Sequence, residues 1–187
     1  MLRRLADDYS DQARRRGKAL NKLLAELKEQ DTKTQLLEVN RFFNQFEYRE
    51  DIELWGKKDY WATPEEFLGT QQGDCEDFVI AKYFALRKLG VPDSNLYLTY
   101  VKALKQNVAH MVLSYFETPG SIPLILDNYN PAILKGNKRT DLLPVYSFNA
   151  KKLFLTNASA GLGQSLPTDK IKNSKWKKLL ADIRKEK

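Results

Sequence analysis

Helical patterns fill the first half of the chain, and strand patterns fill the second half. Apolar residues recur every three or four positions as far as Leu89, which is followed by the helix-ending residues Gly90 and Pro92. The strand patterns that come next cover residues 96–104, 108–116, 122–128 and 145–155. The turn signals between them lie too close together to hold crossover helices. This order predicts an α+β fold with an antiparallel sheet.

Two of the helices have clear start signals. At Thr63 the sequence TPEE places a capping residue, a proline at the first helical position and a glutamate two positions further on. The next helix is predicted from Asp74 to Leu89, with Asp74 as its cap and Asp77 in its first turn. The apolar positions of this helix, from Phe78 onward, form one stripe, which indicates that the helix packs against the core.

The chain of 187 residues contains one cysteine and one histidine. A single cysteine cannot form an intrachain disulfide, and structural zinc modules need four cysteine or histidine ligands. The sequence therefore excludes a disulfide-stapled scaffold and a structural zinc module. A hydrophobic fraction of 42% excludes a disordered chain, and no apolar run approaches the length of a transmembrane helix. We expect a folded chain without a membrane span.

The net charge of +7 is concentrated at the two ends of the chain. Residues 1–22 carry a net charge of +4 and residues 171–187 carry +5, so the middle of the chain is slightly acidic. A nucleic-acid-binding protein more often builds its basic surface into the fold, with interleaved aromatic residues. The C-terminal lysines instead flank the apolar stripe of an amphipathic helix that contains Trp176 and Ile183. We interpret them as a solvated helix face and expect no nucleic-acid partner.

The lone cysteine and the lone histidine are candidates for nucleophilic catalysis. Cys75 stands in the first turn of the predicted 74–89 helix, where the helix dipole and unpaired N–H groups favour a thiolate. His110 lies on a predicted strand, on the same face as its apolar neighbours Val108 and Val112. Each residue also has an ordinary structural interpretation, Cys75 as a small buried hydrophobe and His110 as a half-buried strand residue.

Asp127 favours the catalytic interpretation, because a carboxylate at the end of an apolar strand needs a partner. If the hairpin is centred between Thr118 and Pro119, His110 and Asp127 become direct cross-strand neighbours. Asp127 could then hold one imidazole nitrogen while the other faces Cys75. Pro119 and Gly120 allow several turn types, so this register is a prediction to be tested by the structure.

Three carboxylates surround the candidate nucleophile, namely those of Asp74, Glu76 and Asp77. Their negative charges oppose a thiolate at Cys75. Either the helix N-terminus offsets them or a bound cation does, and Ca²⁺ is a hard cation that takes carboxylate and carbonyl oxygens. The spacing is not that of an EF-hand loop, and Asp77 also fits the capping position.

The segment Gly73 to Tyr83, with the sequence GDCEDFVIAKY, is followed by His110 and Asp127 in an order that resembles the bacterial transglutaminase-like cysteine proteinases. The preceding segment Tyr60 to Glu65, YWATPE, also fits the family pattern. The resemblance covers about residues 40–130. It implies a papain-like core within a single domain of residues 1–187, in which residues 1–62 form a mainly helical lobe. Residues 63–187 would then form the catalytic core with the sheet and the basic C-terminal helix.

The resemblance also implies the roles of individual residues and partners. Cys75 would be the nucleophile, His110 the general base and later acid, and Asp127 the residue that orients the imidazole. Asp74 and Glu76 match the family positions that supply ligands to Ca²⁺, and Asp77 is a further candidate ligand. Family members are similar in acting in the periplasm on the N-terminal region of a large surface adhesin, which releases biofilm cells. The resemblance likewise implies an inner-membrane cyclic di-GMP receptor that sequesters the protease.

Two other functions remain open at this point. A thioester can be resolved by an amine as well as by water, so acyl transfer to amines, as in transglutaminases, is one alternative. A non-catalytic module whose basic ends bind nucleic acid or an anionic membrane is the other. Amine incorporation would indicate the first, and salt-dependent binding without thiol reactivity would indicate the second.

Overall fold

The computed structural model describes residues 1–149, 153–157, 161–166 and 174–186. The backbone divides into two units. The helical unit contains Met1–Leu89 together with Asn173–Lys187, and the sheet unit contains Gly90–Lys172. The predicted α+β class is confirmed, with helices first and antiparallel strands after them.

The helical unit is built mainly from seven α-helices within the described residues. They are α1 (Leu2–Arg4), α2 (Asp11–Leu27), α3 (Thr32–Phe43), α4 (Asp51–Trp55), α5 (Pro64–Thr70), α6 (Cys75–Lys88) and α7 (Ser174–Lys185). A π-helical turn, Leu5–Tyr9, follows α1, and two short parallel strands, β1 (Glu47–Tyr48) and β2 (Gln72–Gly73), pair within the unit. None of the described helices has the length and apolar character that crossing a membrane requires.

The core of the helical unit contains a cluster of phenylalanine rings. Phe67 of α5 is fully buried, with its ring centroid 4.9 Å from Phe46 and 4.9 Å from Phe78 of α6. Phe43 of α3 completes the cluster, at 6.1 Å from Phe67. Such edge-to-face and offset ring pairs stabilise a core beyond their area of burial. They join α3, α5 and α6 and so fix the position at which α6 begins.

Both predicted helix starts are confirmed. The backbone N–H of Glu66 donates to the Thr63 hydroxyl at 3.1 Å, and the Thr63 N–H donates to the Glu66 carboxylate at 2.7 Å. This is a complete capping box with a proline at the first position of α5. The helix predicted at 74–89 spans Cys75 to Lys88, with Asp74 as its N-cap. We predicted that only one stripe of this helix is buried. In the structure the buried part is wider, because most of the residues from Asp77 to Leu86 are buried.

The sheet unit contains one seven-stranded sheet, in which every strand runs antiparallel to its neighbours. Its strands are β3 (Leu96–Ala103), β4 (Val108–Tyr115), β5 (Leu124–Leu126), β6 (Leu134–Lys135), β7 (Leu142–Phe148), β8 (Leu153–Asn157) and β9 (Gly161–Leu166). The order across the sheet is β6-β5-β4-β3-β7-β8-β9. The long central hairpin of β3 and β4 therefore carries its neighbours on both sides.

Two strand predictions differ from the structure. The segment predicted as one strand over 145–155 is a pair of strands, because β7 ends at Phe148 and β8 begins at Leu153 and runs back beside β7. Residues 150–152 of that prediction lie outside the described residues. The strand predicted at 122–128 is shorter, since only Leu124–Leu126 joins the ladder. Pro123 cannot donate an N–H to a ladder, which accounts for the late start.

The predicted hairpin register was wrong by two residues. β4 and β5 pair Leu113 with Leu126 and Tyr115 with Leu124, so the hairpin is centred between Pro119 and Gly120. The centre of the loop therefore lies one residue later in the chain than predicted. A shift of two residues between partners keeps each side chain on its face of the sheet, whereas a shift of one would reverse it. His110 and Asp127 consequently remain on one face as diagonal neighbours.

We expect two neighbouring leucines of α3 to differ in how much they contribute to the free energy of unfolding. Leu36 is 1% exposed and Leu37 is 48% exposed. Leu36→Ala should lower the free energy of unfolding by about 2–5 kcal/mol, because it leaves a cavity, whereas Leu37→Ala should change it by less than about 1 kcal/mol. Urea unfolding followed by circular dichroism measures both values. Equal effects of the two substitutions would contradict this packing of α3.

Candidate active site

The first residue of α6 is Cys75, which lies partly exposed in the helical unit. Its position at the helix N-terminus favours a thiolate, because unpaired N–H groups and the helix dipole place positive potential there. The neighbouring carboxylate has the opposite effect. The thiol donates a hydrogen bond to the Glu76 carboxylate, with Sγ 3.0 Å from Oε2. The helix N-terminus thus favours loss of the thiol proton, whereas the Glu76 carboxylate favours its retention.

His110 and Asp127 form a buried hydrogen-bonded pair in the sheet unit. Nε2 of His110 lies 2.8 Å from Oδ1 of Asp127, and both side chains are fully buried. A carboxylate accepts only from an N–H, so the neutral imidazole carries its proton on Nε2. Nδ1 is then the basic nitrogen, and it is buried without a hydrogen-bond partner in the described part of the chain. This arrangement suits a general base, because Asp127 orients the ring through Nε2 and leaves Nδ1 as the basic nitrogen.

Asp127 is held by groups in addition to His110. The backbone N–H of Tyr129 donates to Oδ1 at 2.9 Å, and Arg139 Nη2 donates to Oδ2 at 2.6 Å. Burial by itself would raise the pKa of this carboxyl group. The hydrogen bond and charge of His110, with the hydrogen bonds from Arg139 and Tyr129, outweigh burial and hold the pKa below its usual value. Asp127 is therefore an ionised acceptor at neutral pH.

The ring of Tyr129 also contacts the imidazole. Its centroid lies 4.1 Å from that of His110, and the two planes differ by 8°, so the rings are stacked. Tyr129 thus fixes one face of the imidazole while its own backbone N–H binds Asp127. Sequence reasoning missed Tyr129 and Arg139. Only the demand of a buried carboxylate for donors hinted at such residues, and that demand does not identify which residues supply them.

The three predicted acidic residues lie together around the start of α6. Oxygens of Asp74 and Glu76 and the sulfur of Cys75 lie within 4.8 Å of one another. Asp77 is almost completely buried and accepts backbone hydrogen bonds from Ala62 at 2.8 Å and from Asp74 at 3.3 Å. Asp77 therefore has a structural role at the start of the helix, as its capping position predicted, and its carboxylate also belongs to the acidic cluster.

Asp51, the first residue of α4, joins this cluster and was missed in the sequence. Its carboxylate forms a group with those of Asp74 and Asp77, and a second group with those of Asp59 and Glu76. One Asp51 oxygen accepts the backbone N–H of Tyr60. The other oxygen of Asp51 and one oxygen of Asp74 are buried without a hydrogen-bond partner among the described residues. No periodic pattern links position 51 to the 74–77 segment, so only the folded chain reveals the association.

Ionising all the carboxyl groups of the cluster is unfavourable in these surroundings, and their pKa values are raised. Burial, followed by the charges of Glu76, Asp77 and Asp51, raises the pKa of Asp74 to about 10. Burial is also the main cause of the raised pKa values of Asp51 and Asp77. Lys175 of α7 pairs with Asp59 at one edge of the cluster. Several buried carboxylate oxygens, two of them unpaired, fit the coordination preferences of a hard divalent cation.

The structure thus places the predicted site residues in two groups. Cys75, Asp74, Glu76 and Asp77 lie at the start of α6 in the helical unit, where Asp51 joins them. His110 and Asp127 lie together in the sheet unit. A thiol at a helix N-terminus and an imidazole oriented by a carboxylate are the components of thiol-dependent hydrolases.

Comparison with known proteins places the chain in a family. A model of the bacterial transglutaminase-like cysteine proteinases matches residues 7–145. The chain belongs to this family, which confirms the predicted resemblance and the cysteine proteinase class.

Solved structures of LapG from Legionella pneumophila are similar over nearly the whole chain. The calcium-bound form is 43% identical, with a TM-score of 0.83, and the match covers 97% of each chain. The EGTA-treated form matches equally well and covers 97% of this chain and 95% of that one. No curated protein sequence gives a significant match.

The pKa of Asp127 leads to a test by pH. Asp127→Asn should lower the free energy of unfolding by about 3–5 kcal/mol at neutral pH, because it leaves buried charge without its partner. The folded chain keeps this carboxyl ionised to lower pH than the unfolded chain does, so the stabilisation is present above the unfolded pKa and disappears as pH falls through the folded pKa.

The difference in the free energy of unfolding between the wild type and Asp127→Asn should therefore be largest above about pH 4 and become smaller below it. Urea unfolding across this range provides the measurement. Asp7→Asn, at an exposed ion pair with Arg3, is the matched control and should change stability by less than about 0.5 kcal/mol. A difference for Asp127→Asn that stays constant with pH would contradict the assignment.

Proposed function

We propose that the chain is a calcium-dependent cysteine endopeptidase in which Cys75, His110 and Asp127 form the catalytic triad. The observation that carries this proposal is the buried His110–Asp127 hydrogen bond, which leaves Nδ1 of the only histidine without a partner among the described residues. The chain has one thiol, at the N-terminus of α6, and it belongs to a family of cysteine proteinases. No other cysteine–histidine pair is available to this sequence.

In the proposed reaction, Nδ1 of His110 takes the proton of the Cys75 thiol, and Sγ attacks the peptide carbonyl carbon. The carbon–nitrogen bond breaks as the imidazolium returns a proton to the departing amine, which leaves a thioester on Cys75. A water molecule, deprotonated by His110, then hydrolyses the thioester. Backbone N–H groups at the start of α6 are the proposed donors to the oxyanion. Asp127 keeps the proton on Nε2 throughout, so that Nδ1 is the nitrogen that gains and loses a proton.

Asp74, Glu76 and Asp51 are the proposed ligands of the calcium ion, and Asp77 is a further candidate. Two of these four residues have buried carboxylate oxygens without hydrogen-bond partners in the described structure, and the similar LapG structure was solved with calcium bound. When bound, the ion supplies positive charge that offsets the carboxylates around the nucleophile. Asp77 already accepts two backbone hydrogen bonds, which limits its capacity to bind metal.

The proposed substrate is the N-terminal region of a large cell-surface adhesin, and its cleavage would release biofilm cells. The proposed regulator is an inner-membrane cyclic di-GMP receptor that sequesters the protease, and both partners would meet it in the periplasm. These assignments rest on the family resemblance and on the 43% identity to LapG. We treat residues 1–187 as one protease domain, with 1–62 as its helical lobe, because the family model runs across both units.

Cys75→Ala should abolish cleavage, because no other thiol can form the thioester. The test incubates wild type and variant with the N-terminal segment of a candidate adhesin in the presence of Ca²⁺, and product masses are determined by mass spectrometry. Thermal unfolding of the variant checks that it is folded. Cleavage by the folded variant would contradict the proposal, and product masses that include an added amine would indicate acyl transfer instead.

Calcium should stabilise the folded chain independently of any activity. A ligand at 100 times its dissociation constant adds about 2.7 kcal/mol, so Ca²⁺ should raise the Tm relative to EGTA-treated protein. Asp51→Asn should remove most of this shift, because Asp51 contributes to two of the three acidic groups. Asp8→Asn, at an exposed position, is the matched control and should keep the full shift. Equal shifts in all three proteins would contradict the assigned site.

A further inference from the structure

Arg139 is a buried cation that contacts the side of Asp127 opposite His110. We propose that Arg139 is a positioning residue of the catalytic pair, which fixes the Asp127 carboxylate so that Oδ1 faces the imidazole and keeps that carboxylate ionised while His110 changes charge. This inference rests on the proposed function and deepens it, because it adds to the triad a residue that acts through Asp127.

The guanidinium is held on both sides. Nη2 donates to Asp127 Oδ2 at 2.6 Å and to Asp141 Oδ2 at 2.8 Å, while Nε donates to Asp141 Oδ1 at 2.9 Å. The two contacts with Asp141 form a fork that fixes the plane of the guanidinium. Arg139 is 3% exposed and Asp127 is 1% exposed, so their contact is shielded from water. Asp141 therefore fixes the orientation of the Arg139 guanidinium, and the guanidinium in turn fixes the orientation of the Asp127 carboxylate.

The donors around Asp127 divide its two oxygens between different tasks. Oδ1 receives the imidazole N–H and the backbone N–H of Tyr129, whereas Arg139 occupies Oδ2. A rotation of the carboxylate would break all of these bonds at once. Without the guanidinium, Oδ2 would lose its charged donor, and the orientation of the carboxylate would be less restricted. Arg139 thus limits the orientations of Asp127, and through it those of His110.

Arg139 also provides a positive charge that does not change during catalysis. During catalysis His110 alternates between a neutral and a positively charged ring, so it compensates Asp127 for only part of the cycle. A buried carboxylate without a cation is strongly disfavoured. The guanidinium of Arg139 is always protonated and supplies the permanent positive charge. The charged groups around Asp127 are then His110, Arg139 and, beyond the guanidinium, the partly exposed Asp141.

Kinetics of Arg139→Gln, Arg139→Lys and the control Arg41→Gln test the role. Arg41 is exposed, and its guanidinium forms an ion pair with Glu38 on the same helix. We expect Arg139→Gln to lower kcat at least about tenfold with KM within about twofold, and the acid limb of the pH profile to move up by about half a unit or more, because a donor that favours ionised Asp127 is lost. Arg139→Lys keeps the charge and should keep the acid limb in place, and Arg41→Gln should match the wild type.

Nitrogen-15 NMR gives a readout that does not depend on activity. The chain has one histidine, so labelled histidine yields the signals of a single ring. The proposal expects the Nε2–H tautomer in the wild type and Arg139→Lys, and a mixture of tautomers in Arg139→Gln. If the wild type does not cleave the adhesin segment, the proposed function fails, and these spectra still decide whether Arg139 positions the pair.

An unchanged tautomer together with an unmoved acid limb in folded Arg139→Gln would overturn the inference, as would an equal loss in Arg41→Gln. If Arg139→Gln does not fold, Asp141→Asn decides instead. It leaves the guanidinium its charge but only one amide oxygen to accept from it in place of the two carboxylate oxygens. The plane of the guanidinium is then less fixed, so kcat should fall about threefold while the acid limb stays in place. An unchanged kcat in Asp141→Asn would then overturn the inference.

Discussion

A carboxylate that is removed from water must be compensated by hydrogen bonds or by positive charge, and this requirement shapes the candidate sites in both units. In the sheet unit the requirement is met. Asp127 receives bonds from His110, Tyr129 and Arg139, and its pKa lies below the usual value despite burial. In the helical unit it is not met by the described residues, because oxygens of Asp51 and Asp74 lack partners and the pKa values of these groups are raised.

The two sites therefore differ in what they need from outside the chain. Asp127 orients the His110 ring through Nε2, and Nδ1, which has no hydrogen-bond partner among the described residues, is the proposed reactive nitrogen. The acidic cluster at α6 is incomplete, and a divalent cation is the simplest group that supplies what it lacks. Because Cys75 follows Asp74 directly and donates its thiol hydrogen bond to Glu76, the charge state of this cluster acts on the nucleophile. The proposed calcium site and the proposed nucleophile are thus adjacent in the chain.

The sequence predicted the parts of the structure that depend on local signals. The capping residues Thr63 and Asp74 located two helix starts, and the scarcity of cysteine and histidine identified Cys75 and His110 as candidates. The hairpin register was wrong by two residues because Pro119 and Gly120 permit loops of several kinds. The predicted contact between His110 and Asp127 was still confirmed, although it is diagonal and not directly across the strands, since an even shift leaves both side chains on one face. Asp51 and Arg139 depend on long-range packing, which no local pattern encodes.

The proposed activation of Cys75 by His110 can be measured as the rate at which a peptidyl chloromethyl ketone alkylates Cys75 in the wild type and in His110→Asn. Peptide mapping by mass spectrometry identifies the labelled residue, and iodoacetamide labelling of the denatured proteins confirms that the thiol is intact. The proposed activation predicts labelling at Cys75 that is slower by about a hundredfold or more in His110→Asn, because general-base catalysis contributes effects of this size. Equal alkylation rates in the two folded proteins would contradict it.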